Sequence, residues 1–145
     1  MPDEDTLKRA REDEREGKSP STQAGEFVRE EIHHIREGKH GARSAKQAVA
    51  IGLSKARRAG VKLGKPKRAS KGVQHKAELD TKAGRRKSKP SPTRSRAIKR
   101  ALKREGHESG SSTAMSRQTK AASRTRSRKD RSAAARKAAR TRSRD

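Results

Sequence analysis

Ala24-Gly-Glu-Phe-Val-Arg-Glu-Glu-Ile-His-His-Ile-Arg-Glu37 and Ser44-Ala-Lys-Gln-Ala-Val-Ala-Ile-Gly-Leu-Ser-Lys-Ala-Arg-Arg-Ala59 carry the sustained apolar periodicity of this chain. In the first segment Ala24, Phe27, Val28, Ile32 and Ile35 recur at helical spacing and fall on one stripe. This predicts a helix from a cap at Thr22 to about Glu37, with Gly38 where a left-handed C-terminal cap falls. In the second segment Ser44 and Gln47 form the S-x-x-Q capping pattern. Ala45, Ala48, Val49, Gly52, Leu53 and Ala56 line one face, Ile51 lies beside it, and Gly60 supplies the stop. Val61 and Leu63 are placed to fold back on that end. The reading is a helix–turn–helix hairpin over 21–64, with a seam of small residues that permits close backbone approach.

Such a hairpin buries little by itself. Folds below about 40 residues generally need disulfides, metals or oligomerisation, and the chain has no cysteine. Self-association into a four-helix bundle through Phe27, Val28, Ile32, Ile35, Val49 and Leu53 is therefore expected. The alternative is a monomer that firms up on its partner.

Away from the hairpin the composition turns against folding. Of the 145 residues 41% are charged and 26% hydrophobic, and Phe27 is the single aromatic ring. With so little apolar material the entropy of ordering is hard to offset. The expected fold class is mainly disordered with a short all-α part. A charged flexible segment occupies 1–20, the hairpin 21–64, and a basic low-complexity tail with transient helices 65–145. Residues 3–16 suit a helix capped at Asp5 or Thr6, but Leu7 and Ala10 are its only apolar residues, so nothing is expected to hold it. In the tail, Pro92 is a natural first residue for a short helix with Ala97, Ile98, Ala101 and Leu102 on one side and Gly106 as its stop. Ser132 suits a cap for another, from Ala133 to about Arg140. Lys120-Ala-Ala-Ser-Arg-Thr-Arg-Ser-Arg128 is echoed by Lys137-Ala-Ala-Arg-Thr-Arg-Ser-Arg144.

Charge points to a partner. There are 42 Lys+Arg against 17 Asp+Glu, a net of +25. Residues 1–37 sum to −4 and residues 38–145 to +29. An arm this basic is drawn to polyanions by counterion release. The bases expected to contact phosphates are Arg57, Arg58, Lys65, Lys67, Arg68, Arg85, Arg86, Lys87, Arg94, Arg96, Lys99, Arg100, Lys103, Arg104, Arg124, Arg126, Arg128, Arg136, Lys137, Arg140, Arg142 and Arg144. Single-strand and sequence-specific RNA binders stack bases on aromatic rings. One ring, on an apolar stripe, favours duplex DNA bound with little base readout. Sequence-specific reading by the second helix would fall to Lys46, Gln47, Lys55, Arg57 and Arg58, with no third helix to set its angle.

Residues 24–63 resemble a short bacterial domain of unknown function found in small basic proteins, some labelled DNA-binding or plasmid-stabilisation proteins. The Glu37-Gly-Lys-His-Gly41 turn and Lys46-Gln-Ala-Val-Ala-Ile-Gly-Leu-Ser54 are the specific part. The tail is similar in composition to linker-histone C-terminal tails. The resemblance implies a bacterial source and a nucleoid or plasmid setting, and it supplies no catalytic residues.

Other constellations are weaker. His33 and His34 point about 100° apart on a helix, so they cannot share a metal ion without His40 or another chain; solvated or turn-packing histidines are the expectation. Gly60-Val-Lys-Leu-Gly-Lys65 is one residue too short for a phosphate-binding loop and lacks its Ser/Thr. Lys65-Pro-Lys-Arg68 would pass as a nuclear signal in a eukaryote. No residue set supports hydrolase chemistry, so no enzyme activity, metal or cofactor is expected. The longest apolar run, Ala48 to Leu53, is far short of the roughly 20 residues that cross a bilayer, and the acidic N-terminus does not read as a secretory signal. The expected setting is the cytoplasm, on the nucleoid. The leading function is non-sequence-specific binding and compaction of duplex DNA. The alternatives are an RNA- or ribosome-associated protein, or an interaction module whose tail only localises it.

Overall fold

The computed structural model describes residues 1–87 and 89–144. It is all-α among the described residues: α1 Glu4–Arg15, α2 Pro20–Arg36, α3 Ala45–Arg58, α4 Lys71–Arg85, α5 Pro92–Lys103, α6 Ser112–Arg124 and α7 Arg128–Arg142, with a 3-10 turn at Glu108–Gly110. The expectation of a mainly disordered chain is therefore wrong. The reason is local chemistry, because the tail is rich in Ala, Lys and Arg, all strong helix formers. It is also punctuated by serines that cap. Ser70, Ser111 and Ser127 accept from the backbone N–H of Val73, Ala114 and Asp130, as Ser19 and Ser44 do from Thr22 and Gln47. Each cap satisfies a donor that would otherwise be orphaned, worth about 1 kcal/mol.

The hairpin forms where the apolar stripes place it. Pro20, placed at the end of the charged flexible segment 1–20, instead opens α2 as its first residue. Gly38 takes φ +73° after the helix, as a left-handed cap requires. The Ser44 cap forms, but Gln47 Oε1 accepts from the Arg43 N–H at 2.6 Å instead of closing the box on Ser44. The small-residue seam matters most at Gly52. A Cβ there would lie 2.6 Å from Val28 Cα, so α2 and α3 approach to a distance that a side chain would forbid.

The rest of the chain closes the seam. Phe27 is fully buried in a cluster with Ala10, Ala24, Ala56 and Val61, edged by Leu7, Leu53 and Leu63. Burying such a ring contributes about 2–3 kcal/mol. Val61 and Leu63 fold back as expected, with Val61 N–H donating to the Ala56 carbonyl at 3.0 Å. Helix α1, predicted to find no support, packs on α2 with Thr6 and Ala10 buried. Polar contacts hold it: Asp3 N–H donates to Glu30 Oε2 at 3.1 Å, and Arg9 pairs with Glu26 at 2.5 Å. Ile35, Ala42 and Ala48 form a second cluster. The 3-10 turn lies against α2, where the Arg36 guanidinium donates to the Gly110 carbonyl at 2.6 Å. Within the chain, α1 and this turn extend the two-helix core, while Val28, Ile32 and Leu53 line an open groove.

Helix α4 is fixed to α3 by Asp80. Its buried carboxylate accepts from Ser54 Oγ at 2.7 Å and from Arg58 Nε at 2.8 Å, with Lys76 at 3.4 Å. Burial works to raise the Asp80 pKa, but these donors outweigh it and hold the carboxyl below its usual range. The end of α5 is docked mainly by backbone: Gly41 and Ala42 N–H donate to the Leu102 and Gly106 carbonyls at 2.9 and 3.1 Å. The main helix–helix packing runs α1–α2–α3–α4, with α6 touching α3; α5 and α7 take no part in it.

Candidate nucleic-acid interface

The basic residues divide into two groups. Several of those near the packed body are occupied. Arg58 is held by Asp80. Arg57 is half-buried and reaches the Gly64 carbonyl at 3.3 Å. Lys65 pairs with Glu78 at 2.5 Å, which pulls the Glu78 carboxyl below its usual pKa. Arg68 ties the start of α7 to the loop before α4, donating to the Thr125 carbonyl and to Asp130, each at 2.7 Å. Helix α3 carries Lys46 and Gln47 at its exposed start, but it is flanked by α2 and α4. Of the residues named for sequence-specific reading, Gln47 serves the α3 cap, Lys55 and Arg58 are ion-paired, Arg57 holds a backbone carbonyl, and Lys46 is exposed. Lys67, Arg85, Arg86 and Lys87 are exposed and border α4.

Residues 89–144 are arranged differently. They contain 19 Lys and Arg, every one exposed. Among the described residues none of these bases lies within 4.0 Å of a carboxylate, and two of the three acids in the segment are met by Arg43 and Arg68 from the body. On α5, Arg96, Lys99, Arg100, Lys103 and Arg104 fall on one face, with Arg94 at its start. Its opposite face carries Ala97, Ile98, Ala101 and half-buried Leu102. On α6, Arg117, Lys120 and Arg124 form one row, while Ala114, Met115, Gln118 and Ala122 are partly covered behind. Helix α7 is basic around its circumference, with Arg128, Lys129, Arg131, Arg136, Lys137, Arg140 and Arg142 and no buried residue. Arg126 lies in the turn between α6 and α7, and Arg144 just beyond α7.

Arg117, Lys120, Lys129 and Arg131 join the bases expected from sequence. The signal for the α6 row is the i, i+3, i+7 spacing of Arg117, Lys120 and Arg124, legible once α6 is recognised as a helix. The two repeats also part company. The first copy, Lys120–Arg128, spans the end of α6, a turn and the Ser127 cap, whereas Lys137–Arg144 runs through the end of α7. Of the histidines, His34 and His40 come together over Glu31, while His33 is exposed. No helix among the described residues is long and apolar enough to cross a membrane.

Residues 17–69 match a family of unknown function, DUF6496, which spans α2, α3 and the approach to α4. No curated protein and no solved structure matches the chain.

Proposed function

We propose that the chain binds nucleic acid, duplex DNA in preference to RNA, by phosphate contacts from α5, α6 and α7. The observation that carries this is the 19 exposed bases at 89–144 without an acid partner among the described residues. Arg96, Arg100 and Arg104, and Arg136, Arg140 and Arg144, repeat at four-residue intervals. Like charges at that spacing destabilise an isolated helix by about 0.2–0.5 kcal/mol per pair. Phosphates laid along such rows remove the repulsion and release counterions. A major groove about 12 Å wide admits a helix, and a helix charged all round, like α7, then meets phosphates on both walls.

Duplex over single strand is supported by Phe27. The sole aromatic ring is fully buried in the core, so base stacking has no platform. With contacts to phosphates alone, binding is indifferent to sequence. Three basic helices on one chain are suited to bridging and compacting DNA, which in a bacterial cell would be on the nucleoid.

The test is a salt titration of the full chain on duplexes of unrelated sequence. Engagement of about 6–10 phosphates gives log K against log[salt] a slope of roughly −5 to −9. Replacing Arg136, Lys137, Arg140 and Arg142 by Gln should make the slope shallower by about 3–4. A slope shallower than about −2, or a strong preference for one site over its scrambled form, would overturn the proposal. Structured RNA outcompeting duplex DNA would move the reading to an RNA-associated protein.

A further inference from the structure

We propose that Glu31, His34 and His40 form a binding site for one divalent transition-metal ion, zinc in particular. The site lies where α2 passes into the loop before α3, the loop on which the end of α5 docks. Glu31 and His34 are one turn apart on α2, and His40 comes back from the loop. The three side chains offer ligand atoms that all lie within 4.8 Å of one another. Sequence spacing alone leaves His33 as good a partner as His34; the fold selects His34 and His40.

Hydrogen bonding at the far side of each ring sets what faces inward. His40 Nδ1 is 3.0 Å from the Gly41 carbonyl. A carbonyl only accepts, so Nδ1 carries the proton, and in the neutral ring Nε2 presents a lone pair. That Nε2 sits 3.2 Å from Glu31 Oε2. His34 Nε2 is 3.2 Å from the Asp3 carboxylate, which also only accepts, and this leaves His34 Nδ1 facing Glu31 Oε1 at 3.9 Å. Two lone pairs therefore converge on a carboxylate that is about 1% exposed, whose Oε1 meets the Lys55 ammonium and whose Oε2 has no hydrogen-bond partner. Acceptors facing acceptors in a buried place call for a cation between them. Protonation would need one added proton on each ring, whereas one metal ion serves both.

The details suit zinc. A ring nitrogen that binds metal generally has its other N–H fixed by a carbonyl or carboxylate, and both outer partners are present here. Two histidines and a glutamate form a recurrent zinc set that leaves a fourth position open. Ligands about 2.1 Å from a tetrahedral ion stand about 3.4 Å apart. The His40–Glu31 pair already meets that spacing at 3.2 Å, and the His34 atom closes the rest by rotation of a side chain that is 13% exposed. The Lys55 ammonium contacts Glu31 Oε1 and Glu30 Oε1, which pins the carboxylate and leaves Oε2 toward His40.

The experiment is calorimetric titration of the tag-free, chelator-treated full chain with Zn²⁺, repeated with Co²⁺ for its visible ligand-field band. One ion per chain is expected. Saturating Zn²⁺ should raise Tm by about 5 °C or more, since the ion binds only the folded arrangement. His34→Ala and His40→Ala should each weaken binding at least about tenfold and abolish the Tm rise, while His33→Ala changes neither. His34→Gln and His40→Gln, which keep a polar group in place, repeat the test if the alanine variants lose helicity. Absence of binding below the millimolar range, equal loss in His33→Ala, or full binding in both His34 and His40 variants would overturn the assignment.

Discussion

Replacing Gly52 and Gly25 by alanine, one at a time, sets two physical effects against each other in neighbouring helices. Glycine in a helix interior costs about 0.5–1 kcal/mol relative to alanine through backbone entropy. Gly25 lies in α2, and a methyl added there would find no atom within 4 Å, so Gly25→Ala should recover that amount and raise Tm by about 2–3 °C. At Gly52 the same methyl would stand 2.6 Å from Val28 Cα and 2.9 Å from its N and Cγ2. Ordinary carbon contacts are about 3.5–4.0 Å, so α2 and α3 must part by about 1 Å. The nearest atoms belong to backbone, so no rotamer relieves the overlap. Overpacking costs about 1–3 kcal/mol, and contact with backbone puts Gly52 at the upper end. Less the propensity gain, the net loss is about 2 kcal/mol, a fall in Tm of about 6 °C. Urea and thermal unfolding followed by far-ultraviolet circular dichroism would measure both, since the chain has no Trp or Tyr to report by fluorescence. Gly52→Ala as stable as the parent would refute the close approach of α2 and α3.

Asp80→Asn should release α4 from α3 and cost about 2–3 kcal/mol by urea denaturation, below the full cost of breaking a buried pair because Arg58 is 43% exposed. The Asp80 pKa is depressed in the folded chain, so its contribution is present above the unfolded value near 3.9 and lost as pH falls through the lower folded value. The parent should therefore lose stability below about pH 4 more steeply than Asp80→Asn. For Lys55, burial works to lower the pKa, but the hydrogen bonds and charges of Glu31 and Glu30 outweigh it and the net shift is upward. Its contribution is present below the unfolded value near 10.4 and lost as pH rises through the folded one, and Lys55→Met should remove this alkaline loss while costing about 2–3 kcal/mol at neutral pH. Ser127→Ala removes the cap that accepts from Asp130 N–H and should reduce helicity in 128–142 by about 1 kcal/mol of local stability. Because α7 stands outside the packed body, the unfolding midpoint reported by α1–α4 should not move.

The amino-acid sequence by itself determined the hairpin, its two stripes, the Gly38 stop, the Ser44 cap and the return of Val61 and Leu63. Each of these depends on periodicity or on chemistry within a few residues. It also determined the charge asymmetry, because net charge is a sum that folding does not alter. Which bases are free was decided by tertiary structure. Arg57, Arg58, Lys65 and Arg68 read like any other cations in the chain, yet the fold occupies them through Gly64, Asp80, Glu78 and Asp130. The docking of α1, and α4 altogether, were hidden for a related reason. Their interfaces rest on Thr6, Ala10, Ala77 and Asp80, small and polar residues whose burial is favourable only where partners such as Ser54 and Arg58 wait across the contact. The convergence of His34 and His40 on Glu31 belongs to the same class, since the chain between the histidines turns back only after α2 has ended and α3 has docked. Local rules reach as far as one helix and its caps, and what an ion pair or a buried carboxylate meets is settled by elements distant in sequence.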